Sequence, residues 1–202
     1  DSADQGVRRG QRFYHSGLDF TVAIPQGWEV LNRPDALVMH TVDKQAFIAL
    51  TMAHYDERLT PEESLRKEVG NQRLSMQESF NQAGFSGATA VVPGQPAKRV
   101  AVIVKNKEAF MFVAAVKDRG SLESQDDQFM AVIHSFRALT KEQLKLAQPA
   151  VIHVVAVKSG QSVESLAQTA DLPGDKAARI RLLNGLYPSG EVKPGALLKL
   201  VR

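Results

Sequence analysis

The chain contains no cysteine. Disulfides, thiolate zinc sites and cysteine nucleophiles are therefore excluded, although this does not locate the compartment. Long apolar runs are missing too, and nothing approaches the ~20 residues with which a helix crosses a bilayer. Residues Asp1 to Gly10 are polar, carry Arg8 and Arg9, and lack the apolar stretch of a signal peptide. An export signal is expected to have been removed or to lie outside this sequence. The histidines are His15, His40, His54, His134 and His153, with no two of them four apart and no His-Glu-x-x-His. Gly-x-Ser-x-Gly and Gly-x-x-x-x-Gly-Lys are absent as well. His40 and His54 across a hairpin would supply two metal ligands where three are needed. No metal site and no cofactor are expected, and without a nucleophile–base pair this chain is not expected to be an enzyme. Arginine-rich stretches interleaved with aromatics are also lacking, so nucleic acid is not an expected partner.

What is present is an ordinary globular composition, 44% hydrophobic and 23% charged over 202 residues, enough for two small domains. The charge is uneven. Residues 150–202 carry seven Lys and Arg against four Asp and Glu, whereas residues 1–149 carry eighteen of each. Lys176, Arg179 and Arg181 cluster on one predicted helix. They either form a solvated face or attract anionic polymers.

Residues 12–139 read as an α+β domain, an antiparallel sheet covered by helices on one side. Leu18–Ile24 alternates with period two, Pro25-Gln26-Gly27 turns the chain, and Trp28–Leu31 resumes it. The lone Trp28 is expected in the core. Ala36–His40 and Ala46–His54 read as a hairpin, as do Lys98–Lys105 and Ala109–Val116. Thr60-Pro61-Glu62-Glu63 starts a helix as a capping box, with Leu65, Val69, Met76 and Phe80 on one face and Gly84 as its stop. A last helix spans Leu122–Ser135 and buries Phe129, Met130 and Ile133. The acidic pairs Glu62-Glu63 and Asp126-Asp127 complement helix starts. Residues 1–11 are expected to be disordered or extended, and 140–149 to form a linker helix with Thr140 and Gln143 as its capping pair.

The final part, residues 150–202, carries the most information. Val151–Val157 alternates, Ser162–Ala170 and Asp175–Leu183 are short helical stretches, Pro194-Gly195 turns, and Leu197–Val201 closes as a strand. This βααβ order, with Ser159-Gly160-Gln161-Ser162-Val163, Arg181-Leu182-Leu183-Asn184-Gly185-Leu186 and Lys193-Pro194-Gly195, resembles the LysM glycan-binding module.

The likeness extends over roughly residues 10–202. Arg12–Phe20, Ile24-Pro25-Gln26-Gly27-Trp28 and His134–Leu139 resemble the segment after the catalytic region in secreted bacterial HtpX-like zinc metallopeptidases. The first domain is similar to the PsbP-like fold in its element order and its Ile-Pro-x-Gly-Trp pattern, which is an analogy of fold. The resemblance implies a peptidase domain with its zinc before residue 1, and a periplasmic or secreted protein. This chain would then be a non-catalytic accessory region that positions the protease on peptidoglycan, another envelope component or its protein substrate. The alternative is a stand-alone peptidoglycan- or protein-binding protein with no protease attached.

In LysM modules, N-acetylated sugars bind between two loops that correspond here to Gly160–Val163 and Asn184–Pro188. The resemblance therefore implies Gly160, Gln161, Ser162, Val163, Asn184, Gly185 and Tyr187 as glycan-binding residues. Gly185 would allow close approach, Asn184 would bond an acetamido group and Tyr187 would stack on a sugar face. The usual Gly-Asp-Thr is Gly160-Gln161-Ser162 here, which keeps the hydroxyl and loses the acid. The other reading of the same residues is structural: Asn184-Gly185 stops a helix, and Leu183 and Leu186 are core.

Overall fold

Two neighbouring apolar stretches, Lys98–Lys105 and Glu108–Val116, lie in the middle of a seven-stranded sheet. The computed structural model describes residues 6–117, 121–148, 151–170, 172 and 174–201. The fold is α+β, as expected, with antiparallel sheets and a few helices. Two units are found, residues 1–148 and 149–202.

In the first unit the strands are β1 (Val7–Arg9), β2 (Arg12–His15), β3 (Phe20–Ala23), β4 (Glu29–Asn32), β5 (Leu37–His40), β6 (Ala46–His54), β7 (Ser75–Gln82), β8 (Phe85–Val92), β9 (Lys98–Lys105) and β10 (Glu108–Val116). The helices are α1 (Pro61–Val69), α2 (Asp126–His134) and α3 (Lys141–Leu146), and Leu122–Ser124 is a 3-10 turn before α2. Strands β1–β3 form one sheet, and the other is ordered β4-β5-β6-β10-β9-β8-β7. The two predicted hairpins are present: β5 pairs with β6, and β9 with β10 around Asn106-Lys107.

Three expectations need correction. The helix begun at Thr60 has its capping box, but it ends at Gly70, whose φ of +69° closes it with a hydrogen bond to Arg66 O. Residues 75–82 are strand, and Ala83-Gly84 (φ +48° and +84°) is a hairpin turn rather than a helix stop. A spacing of four fits one face of a helix or of a regular strand, so periodicity alone misleads here; in the strand itself an irregularity between Ser75 and Glu78 leaves Met76 exposed while Phe80 packs on the core. Second, the helices do not share one side of the large sheet. Ala101 and Ile103 of β9 pack with Phe129, Val132 and Ile133 of α2, while Val100 and Val102 pack with Leu65 of α1. A strand buried on both faces reads as a continuous apolar run, which is what Val100–Val104 is.

Within the N-terminal segment expected to be disordered or extended, Val7–Arg9 is an extended strand paired with β2. Residues 1–5 of that segment, and 149 and 150 at the expected junction, lie outside the described residues. Third, the strand read from Leu18 starts at Phe20, because residues 16–19 are a turn in which Asp19 adopts φ +51°. Trp28 is core and meets Phe129 edge-on at 6.3 Å. His40 lies opposite Phe47 and His54 opposite Glu108, so the two histidines do not face each other across the hairpin. Among the described residues no three His, Cys, Asp or Glu side chains converge as metal ligands, so no zinc chemistry is derived from this chain.

The second unit is β11 (Ile152–Ala156), α4 (Val163–Ala167), α5 (Lys176–Leu183) and β12 (Leu197–Val201), with β11 and β12 antiparallel. Its core is its own: Val157, Val163, Leu166, Ala167, Ala170, Ile180, Leu198 and Leu200.

Candidate functional site

The two loops expected to bind glycan flank the helical pair in sequence, one before α4 and one after α5. Ser162 is the N-cap of α4: its hydroxyl accepts from Ser165 N at 3.1 Å, and Ser165 Oγ accepts from Ser162 N at 3.0 Å. Gln161 turns back on its own loop and accepts from Lys158 N at 2.8 Å. Val163 is fully buried and belongs to the core of this unit, so it offers no surface to a ligand.

After α5 the chain stops in a Schellman motif. Gly185 adopts φ +69°, Leu186 N donates to Arg181 O at 2.7 Å, and Gly185 N donates to Leu182 O at 3.3 Å. Asn184 is committed to the fold. Its Nδ2 donates to Ile180 O (2.8 Å) and Lys199 O (2.9 Å), and its Oδ1 accepts from Lys199 N (2.7 Å). Both amide hydrogens are used, so the role left for it toward an acetamido group is that of an acceptor. Tyr187 is 64% exposed. A Cβ at Gly160 or at Gly185 would meet nothing within 4 Å, so the backbone is open on that side at both positions.

Arg181 links the start of α4 to the segment just after the second loop. Its Nε donates to Gly190 O at 3.0 Å, and its Nη2 pairs with Glu164 Oε1 at 2.5 Å and with Glu191 Oε1. Glu191 Oε2 in turn accepts from Val163 N at 3.4 Å. Hydrogen bonding to Arg181 holds the Glu164 carboxyl below its ordinary range, and the same bonds raise the guanidinium. The Lys176–Arg179–Arg181 cluster is therefore not a uniform basic face. Arg181 is neutralised by two carboxylates, and Lys176 Nζ donates to Ala170 O at 2.7 Å. Sequence reading missed both the clamp and Glu191, because the partners stand 17 and 10 residues apart with no local signal.

No family model matches the sequence, and no curated protein matches it either. Solved structures do resemble it. A protein from Bacteroides thetaiotaomicron VPI-5482, known from a crystal structure, is 10% identical, with 96% of this chain and 87% of the other covered and a TM-score of 0.50. The likeness is one of fold. Two further structures stand at a TM-score of 0.48. The cyanobacterial PsbP (CyanoP) of Synechocystis sp. PCC 6803 is 12% identical over 66% of this chain and 98% of its own. A substituted form of the protein Mog1 is 10% identical over 68% of this chain and 100% of its own.

Proposed function

We propose that this chain is a non-catalytic binding region of an exported zinc metallopeptidase, periplasmic or secreted. In this reading a PsbP-like unit precedes a LysM-like unit that holds the enzyme at the cell envelope. One observation carries the reading. The second unit has its own core and presents a helix-start loop and a helix-stop loop, with Arg181 and Glu191 linking the start of α4 to the segment just after the second loop. Open backbone at Gly160 and Gly185 and the exposed ring of Tyr187 provide close approach and a stacking surface, the two things a shallow sugar groove requires. A groove this shallow binds weakly alone, and tethering to an enzyme raises its effective concentration.

The test is co-sedimentation of the chain with purified peptidoglycan sacculi across a salt series, with Tyr187→Ala beside the parent. Tyr187 suits the purpose because its ring is exposed, whereas Asn184→Ala would also remove three hydrogen bonds of the fold. Retention that survives moderate salt and falls severalfold in Tyr187→Ala supports a sugar groove. Retention abolished by salt alone reduces the interaction to attraction by basic charge. A His-Glu-x-x-His motif encoded upstream of Asp1 would support the peptidase parent. Its absence there would favour a stand-alone binding protein.

A further inference from the structure

A cavity of about 230 Å³ opens in the first unit beside the turn that joins β4 to β5. Its floor is made by Phe13, Phe20, Leu37, Leu50 and Phe110, none more than 4% exposed. The rings belong to a contiguous aromatic cluster, with Phe20 and Phe110 meeting at 5.3 Å and Phe13 and Phe20 at 6.0 Å. The turn itself is closed by Arg33 N donating to Ala36 O at 2.9 Å. Arg33 and Asp35 both line the cavity from this turn, one on each side of Pro34. Neither side chain enters a hydrogen bond or an ion pair among the described residues, with each other or with anything else.

Two opposite charges two residues apart, both unpaired, flank an apolar floor. A lone carboxylate ligand would satisfy Arg33 and crowd Asp35, and a lone amine would do the reverse. A ligand that carries both charges satisfies both residues. We propose that this cavity binds a free α-amino acid with a large apolar side chain. The carboxylate meets the Arg33 guanidinium, the ammonium meets the Asp35 carboxylate, and the side chain lies among the rings. The volume fits: a cavity of about 150 Å³ holds benzene, so the larger one here takes a benzyl or isobutyl group with its α-carbon. This site belongs to the first unit and does not depend on what the second unit binds.

The experiment is an amide NMR titration of the full chain with L-phenylalanine, N-acetyl-L-phenylalanine, L-phenylalaninamide and glycine. L-Phenylalanine is expected to give saturable shifts confined to Leu18, the 33–37 turn, Thr51 and Met52. The two blocked compounds should each bind at least about fivefold more weakly, roughly 1 kcal/mol, and glycine should give no saturable shift. Arg33→Gln should make L-phenylalanine no better than its amide. Asp35→Asn should make it no better than the N-acetyl compound. Both residues are exposed and unpartnered, so neither change should move the thermal midpoint, and that is measured alongside. The proposal is overturned if L-phenylalanine shows no saturation by about 10 mM, or if the blocked compounds bind equally well. It is also overturned if only an extended peptide ending in an apolar residue binds, since the cavity would then be a peptide-docking site.

Discussion

Arg99 is 3% exposed and carries a full charge into the interior of the first unit. Its Nε and Nη2 grip both oxygens of Asp126 at 2.8 and 2.5 Å, at the first residue of α2. The carboxylate is thus held by a buried guanidinium as well as by the helix dipole. Removing it leaves a cation without its partner in a place water reaches poorly. Asp126→Ala is expected to cost about 3 kcal/mol, toward the lower end for broken buried pairs because the carboxylate is itself part-exposed. Urea unfolding would measure this, and a loss under about 1 kcal/mol would show that the site rehydrates freely. The sequence made Asp126 legible as a helix-start acid from its position alone. Nothing in the sequence paired it with Arg99, because strand and helix are 27 residues apart. Arg33 and Asp35 went unread for the converse reason: their interest lies in the cavity beside them, which five residues from five strands create.

Among the elements, the junction of α4 with the loop after α5 depends on ionisation. Hydrogen bonding to Arg181, foremost, and to its own helix start lowers the Glu164 carboxyl below its ordinary 4.5. A group lowered in the folded state contributes fully above its unfolded value and loses that contribution as pH falls through the lowered one. The second unit should therefore hold its thermal midpoint from neutrality down to about pH 5 and lose it only in more acid solution. Glu164→Gln should reduce the acid-dependent part while leaving the rest of the profile in place. An unchanged acid limb in that variant would show that Glu191 or another group carries the dependence. Capping was legible because it acts within four residues: the boxes expected at Thr60 and Thr140 are both present. Strand β7 was not. It holds its place through distant partners. Phe80 covers Gly87, where a Cβ would lie 2.5 Å from the ring. Gln82 Nε2 donates to Phe136 O at 2.6 Å, beyond the end of α2.

For the whole molecule, the second unit offers the sharpest test. Its eight buried core residues all come from within residues 149–202, so that segment alone should fold. So small a core without disulfides or metal supports only a marginal stability, about 3 kcal/mol. Expressed by itself, the segment should give dispersed amide resonances and a cooperative urea transition; a collapsed, undispersed spectrum would show that it needs the rest of the chain. The sequence by itself determined what acts over a few residues or through a strict period. This includes the α+β class, the hairpins around residues 41–45 and 106–107, the caps, and the βααβ order of the last 50 or so residues. Tertiary structure alone decided the strand order β4-β5-β6-β10-β9-β8-β7, the burial of that sheet on both faces, the Arg181 clamp and the cavity at Arg33 and Asp35. Each of these needs residues far apart in the chain to meet. An apolar alternation says which face of a strand is buried, but not which strand lies beside it or what covers it.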